Sequence, residues 1–364
     1  MRKIIYFQIP IPHRWTFLLA IVLLTVQSLS AQVYLTDEYK PAEERYYTAY
    51  PSRGEEMVYL SAFDYAGGFT LGSGFDDRFG LTITGYAEFL LPDGYDRLSF
   101  VIGPYDPQST VDGSNAIIVV RADDRKVYDR IVWCHDAPRE VVLPVKGAHR
   151  LRFDVVSGRA PVAFGSVRLW QVGQTYAPTP NPQQDIFASD TVQLVKQMFP
   201  YYVHHTDWVT VVTDRDDGPN CYRTDEVAID TVHYHDGLQL YAERVIAGDR
   251  EAGAYFWLHK KYDEVVFTVG PLNGQPYNAA GWFTVKGDEV ILYEKRITPE
   301  TVPERVVVRT KQINQLSFCC SGDNSPSNEG IYLGVVDMTA RVVKEKTVRR
   351  GTRYVPRRRP SAHR

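Results

Sequence analysis

Tyr95-Asp96-Arg97-Leu98-Ser99-Phe100-Val101-Ile102-Gly103-Pro104 is met a second time as Tyr262-Asp263-Glu264-Val265-Val266-Phe267-Thr268-Val269-Gly270-Pro271. Tyr-Asp, Phe and Gly-Pro stand at the same spacing in both. Alternation puts Leu98, Phe100 and Ile102 on one face of a strand, and Val265, Phe267 and Val269 on one face of its copy. Gly-Pro ends each strand, because proline has no amide hydrogen for a ladder.

The repetition extends outward. Val120-Arg121-Ala122-Asp123-Asp124 and Tyr128-Asp129-Arg130-Ile131 match Val285-Lys286-Gly287-Asp288-Glu289 and Tyr293-Glu294-Lys295-Arg296. Leu151-Arg152-Phe153 matches Leu316-Ser317-Phe318. The offset is 167 residues at the first motif and 165 at the later ones, so two copies of one domain are expected. Short alternating runs, separated by Asp93-Gly94, Asp112-Gly113, Lys146-Gly147 and Ser157-Gly158, predict an all-β chain of two tandem jelly-roll or β-sandwich domains.

The organisation follows. Residues 1–31 read as a signal peptide: Arg2, Lys3 and Arg14 precede or flank an apolar run from Trp15 to Leu24, and Ser28-Leu29-Ser30-Ala31 supplies small residues for cleavage. That run is short for a membrane span, and nothing later is long and apolar enough for one. The chain is therefore expected to be exported, to the periplasm, the outer surface or the medium. Residues 32–56 form a polar lead-in and 57–170 the first sandwich. Residues 171–200 make a Pro/Gln-rich linker with a short helix over Thr191–Phe199, 201–343 the second sandwich, and 344–364 a basic disordered tail.

The formal net charge is −3, yet 341–364 holds ten Lys/Arg against Glu345, so the body is acidic. That distribution does not suit a nucleic-acid-binding domain. The tail suits contact with an anionic surface. Cys221 with Cys319 or Cys320 is the expected disulfide; Cys319 and Cys320 fall on opposite faces of one strand, so one of them is expected to point inward. No cofactor is expected beyond a structural calcium, for which Asp214, Asp216 and Asp217 gather carboxylates. His233 and His235 share a strand face and suit zinc if His204 or His205 joins them, although surface histidines are the commoner case. No Gly-x-Ser-x-Gly, His-Glu-x-x-His or P-loop motif occurs, so no enzyme is expected.

At these residues the chain resembles the NPCBM family of carbohydrate-binding β-sandwich modules, over roughly two thirds of its length. Gly80-Leu81 and Gly237-Leu238 match the family's Gly-Leu turn, and Phe100 to Gly103 and Phe267 to Gly270 match its Gly-ended strand. Val120 to Asp129 and Val285 to Glu294 match its V-x-x-D-G-x-x-[LV]-Y-D-S element, and Leu151 to Val155 with Leu316 to Cys319 its closing strand. The departures are Pro104-Tyr105-Asp106 and Pro271-Leu272-Asn273 in place of an acidic pair, and no His after either Gly-Leu turn. The resemblance implies a galactose-binding-like sandwich and a polysaccharide ligand. A sugar site needs an aromatic face and polar side chains to meet hydroxyls. The candidates are Tyr105, Asp106, Gln108, Asn115 and Trp133 in the first domain and Asn273, Gln275, Tyr277 and Asn278 in the second. Trp282 is a further platform candidate with a competing core reading, shared by Trp170 and Trp257. The rival function is an envelope scaffold whose sandwiches hold protein partners; a hydrolase is a third.

Overall fold

The structure, a computed structural model, describes residues 32–76, 81–105, 114–158, 160–205, 207–213, 222–223, 226–243, 251–323 and 329–344. Its first sandwich has one sheet in the order β13 (Arg139–Pro144), β10 (Tyr95–Pro104), β15 (Val162–Gln171), β6 (Gly68–Leu71), β3 (Tyr47–Tyr50), with β1 (Gln32–Tyr34) also on β15. The facing sheet runs β12 (Arg125–Trp133), β11 (Asn115–Ala122), β14 (Arg150–Gly158), β9 (Tyr86–Leu90), β2 (Glu43–Arg45). The second sandwich repeats both orders. Its first sheet is β27 (Glu304–Arg309), β24 (Glu264–Pro271), β29 (Ile331–Arg341), β22 (Gly237–Ala242), β18 (Val209–Val212), with β16 (Thr191–Gln193) on β29 and β19 (Tyr222–Arg223) beyond β18. Its other sheet is β26 (Val290–Ile297), β25 (Gly281–Gly287), β28 (Gln315–Gly322), β23 (Glu251–Trp257), β17 (Tyr202–His204). Hairpins β4 (Val58–Leu60)–β5 (Phe63–Tyr65) and β20 (Val227–Ile229)–β21 (Val232–Tyr234) hold equivalent places, and the first sandwich also carries β7 (Ser73–Asp76)–β8 (Leu81–Thr84).

Two irregularities recur in both copies. A bulge interrupts β10–β15 opposite Phe100, where Ser166 has φ +48°, and another interrupts β24–β29 opposite Phe267, where Asp337 has φ +52°. A second shared bulge lies at Val120/Arg121 and at Val285/Lys286. Each adds one residue to one strand and sharpens the local twist, which closes a sheet over its partner. The repeated glycine has a packing reason. A Cβ on Gly103 would stand 2.4 Å from Ser61 Oγ and 2.8 Å from Leu60 Cδ2 of the β4–β5 hairpin. One on Gly270 would stand 3.0 Å from Ile229 Cγ2 of the β20–β21 hairpin.

The predicted inward faces are the core faces. Leu98, Phe100 and Ile102 lie in the first interior with Phe69, Phe89, Phe153 and Phe164. Val265, Phe267 and Val269 lie in the second with Phe256, Phe283 and Phe318. Each sandwich therefore removes its own apolar surface from water.

Three expectations need correction. Residues 32–50 are no loose lead-in: β1, β2 and β3 pair with β15, β9 and β6, and Leu35 in the short helix α1 (Leu35–Glu38) is fully buried. Thr191–Phe199 is not helical; β16 pairs with β29 and Val192, Leu194, Val195 and Met198 join the second core. The helix of the linker is α2 (Gln184–Ala188). Finally, both Cys319 and Cys320 point into protein. Cys320 enters the second interior, whereas Cys319, on the other face, is covered by the first sandwich. Both are free thiols, pushed up in pKa by burial; Cys221, their expected partner, lies outside the described residues.

Cys319 belongs to a third apolar cluster that docks the two sandwiches. Cys134 and Ala137, just beyond β12, meet Tyr201, Tyr202, Tyr255 and Trp257 of the second sandwich, with Phe63 and Phe187 alongside. The Phe63 and Trp257 rings lie 4.9 Å apart. Ala137 N donates to Gln315 Oε1 at 2.9 Å, and Tyr201 Oη donates to His135 O at 2.6 Å. His135 Nε2 sits 3.5 Å from a Glu289 carboxylate oxygen. Burial alone would depress His135, but hydrogen bonds to Cys134 and Glu289 more than offset it and raise its pKa from 6.5 to about 9; Glu289 is correspondingly lowered, by its bond to His135 first.

A raised histidine contributes its stabilisation in full below 6.5 and loses it as pH climbs through about 9. The depressed Glu289 contributes above its ordinary value of 4.5 and loses its share on acidification. The urea midpoint of the parent minus that of His135→Gln should thus be largest between about pH 5 and 6.5 and fall above about pH 9 to the constant remainder set by the His135 ring contacts. A difference independent of pH would remove the ion pair from the interface.

Candidate functional site

Four candidate residues gather on one loop, between β24 and β25. Asn273 Nδ2 donates to Asp230 O at 2.6 Å and Asn273 N to Ala228 O at 3.3 Å, which ties the loop to the β20–β21 turn. Gln275 Oε1 accepts the Tyr332 N–H at 2.9 Å, and Asn278 Nδ2 donates to Glu329 Oε1 at 3.2 Å, which tie it to the start of β29. These amides are struts first. The amides of Asn273 and Gln275 have hydrogen-bonding capacity beyond the side-chain bond that fixes each.

Between these struts stands Tyr277, 95 % exposed. Beside it, Pro271–Gln275 and Pro299–Pro303, Glu300 among them, wall a groove of about 420 Å³ that also takes in Asp230. On the adjoining sheet face Tyr241 and Tyr332 stack at 4.4 Å and 26°, and Tyr332 is half exposed. The sequence reading missed this pair. The signal was strand parity: Leu238, Leu240 and Ala242 point inward, as do Ile331 and Leu333, so Tyr241 and Tyr332 must point out.

The first sandwich differs. Tyr105 packs on the satellite cluster of Val58, Leu60, Tyr65, Val101 and Ala163 and hydrogen-bonds Tyr50, whose pKa rises through burial and then through that bond. Tyr105 N donates to Pro161 O and Asn115 O accepts the Ala160 N–H, so both residues lean on one turn. Asn115 is the ladder partner of Trp133. Trp133 is 37 % exposed and stacks on His135 at 6.1 Å, at the rim of the docking interface. Trp282 is exposed to a similar degree, while Trp170 and Trp257 are buried. Asp106, Gln108, Asp214, Asp216, Asp217 and Cys221 lie outside the described residues. His233 and His235 both face Glu226, at 2.8 and 3.6 Å. Among the described residues no group of three His, Cys, Asp or Glu converges as a metal site. No helix of the described residues is long and apolar enough to cross a membrane.

The fold defines a class: an all-β protein of two tandem β-sandwich domains. No family model matches the chain, and no curated protein matches it. Solved structures resemble it at low identity. The tandem CBM51 modules of a family 98 glycoside hydrolase from Streptococcus pneumoniae are 12% identical, covering 86% of this chain and 99% of that one, with a TM-score of 0.30. ZmpB from Clostridium perfringens, solved as its catalytic domain with two CBM51 domains, is 12% identical over 85% of this chain and 38% of that one, TM-score 0.32. A CBM51 from a Clostridium perfringens protein, in complex with methyl-galactose, is 17% identical over 38% of this chain and 99% of its own, TM-score 0.31. At such scores the fold assignment rests on the strand pairing itself.

Proposed function

We propose that this is an exported, non-catalytic protein of the NPCBM kind that binds polysaccharide through its second sandwich, in the groove beside Tyr277. The observation that carries the reading is Tyr277. Its ring is almost wholly exposed, on a loop whose neighbours are hydrogen-bonded to the β20–β21 hairpin and to the β29 segment. A pinned loop has already lost the freedom that binding would otherwise remove. An exposed phenol ring offers the flat apolar face on which the C–H side of a pyranose stacks. The groove beside it supplies carboxylate, amide and hydroxyl groups for the sugar's hydroxyls. In the first sandwich Tyr105 offers no such platform, because it is turned against Tyr50.

The test is depletion of the protein from solution by a panel of insoluble polysaccharides, followed by titration with soluble fragments of the best one. Tyr277→Ala is expected to weaken binding by about 0.5–1.5 kcal/mol, roughly 2–12-fold, with unfolding unchanged. Retention by no polysaccharide, or full affinity in Tyr277→Ala, would sink the proposal.

A further inference from the structure

Docking of the sandwiches creates a cleft that neither contains alone. It has a volume of about 200 Å³ and draws its walls from three places: the first sandwich, the linker at Thr179–Asn181, and the turn that follows β23. Its floor is aromatic and apolar. Trp257, Tyr65 and Val101 are each 4 % exposed. Trp257 is fixed in orientation, since Nε1 donates to Asn314 Oδ1 at 3.2 Å while Phe63 and Phe187 flank the ring at 4.9 and 5.8 Å.

The rim is cationic. Arg139 and Lys260 both border the cleft, and among the described residues neither has an ion-pair partner. Glu140 lines the same cleft, and Asp136 and Asp288 lie close enough to act on Arg139, but all three carboxylates already hold hydrogen bonds. Glu140 accepts the Thr179 N–H at 2.6 Å and lies 3.8 Å from Arg168. Asp136 is held by Trp133 N and Arg130, and Asp288 by Asn314 N and Gln315 N. Burial, and then Arg130, lower the pKa of the Arg139 guanidinium, which an anion would reverse. Asn181 also lines the space, and its Oδ1 accepts the Gln183 N–H at 2.8 Å. The turn itself is unusual: His259 and Lys260 are consecutive left-handed residues, φ +52° and +59°, whereas the corresponding turn of the first sandwich is left-handed at Gly94, φ +114°. L residues resist that conformation, so the turn holds Lys260 at the rim against its own preference.

We propose that the junction cleft is a second binding site, for one anionic sugar ring: the ring over the floor that Trp257 closes, and its carboxylate on the cationic side chains of the rim, Arg139 and Lys260. About 200 Å³ is of the size of a single sugar ring, and the two cations favour an acidic ring over a neutral one. The site is independent of the Tyr277 groove, so either can fail alone.

The experiment titrates the full chain with D-glucuronate and D-galacturonate, followed by NMR shifts of the tryptophan indole N–H signals, with D-glucose and acetate as controls. Saturable binding of a uronate is expected, about tenfold or more tighter than either control and weaker at high salt. The double substitution R139Q/K260Q should raise the uronate Kd by about tenfold or more. Tyr277→Ala should leave it unchanged. A parallel titration with polygalacturonate separates the source: binding of the monomer assigns a free sugar acid, and binding of the polymer alone, lost in R139Q/K260Q, assigns a chain end. No saturable binding of monomer or polymer, or an unchanged Kd in a folded R139Q/K260Q protein, overturns the proposal.

Discussion

Phe267→Ala is expected to destabilise the second sandwich by about 3–5 kcal/mol and to leave the strands of the first intact. Phe267 is fully buried at the centre of β24. Its ring meets Phe318 at 5.2 Å, Phe283 at 5.9 Å and Tyr293 at 6.2 Å, so truncation removes one partner from three aromatic contacts across the sandwich. The strand cannot slide to fill the gap, because the bulge opposite Phe267 fixes its register on β29. A loss of this size is a large part of the 5–15 kcal/mol that holds an ordinary domain folded. Urea unfolding followed by circular dichroism should show an early transition covering about half the strand signal. Phe100→Ala should do the same to the first sandwich, since Phe100 meets Tyr128, Phe153 and Phe164 in matching positions.

The second large effect is at the interface. Trp257→Ala should cost the docked unit about 3–5 kcal/mol while each sandwich keeps its own core. Trp257 lies outside both sandwich interiors, in the cluster that joins them, and Phe63, Phe187 and His259 all touch it. Two readouts follow. One cooperative unfolding transition should separate into two. Cys134 and Cys319, buried in this interface, should become open to alkylation mapped by mass spectrometry. Unchanged labelling in Trp257→Ala would show that the cluster does not hold the sandwiches together.

The interiors were legible because Phe100 and Phe267 sit in strands apolar at alternate positions and bounded by turns. The interface was written less plainly. Ala252 to Leu258 is apolar at both parities: Ala252, Ala254, Phe256 and Leu258 enter the second interior, and Tyr255 and Trp257 the interface. A strand apolar on both sides is buried on both sides, and reading Trp257 as core was correct about burial, while nothing in the strand said that the other sandwich covers it. The lead-in was misjudged because β1 and β2 are three residues long, too short to show a period. At the candidate site, residue types pointed to the loop of Asn273, Gln275, Tyr277 and Asn278. Their roles did not follow, because the struts end on Asp230, Tyr332 and Glu329, 43 to 57 residues away in the chain. The junction cleft was not legible at all, since it exists only where two separately folded pieces meet.

The central claim is one sandwich design folded twice, each copy on its own core. Native-state hydrogen exchange under rising denaturant, in the parent and in Phe267→Ala, tests it most directly. The account predicts that β22, β24, β28 and β29 lose protection together at low denaturant in the variant, while β10, β11, β14 and β15 stay protected after them on their own core. Equal loss of protection across both sets of strands would mean a single shared core and would contradict it.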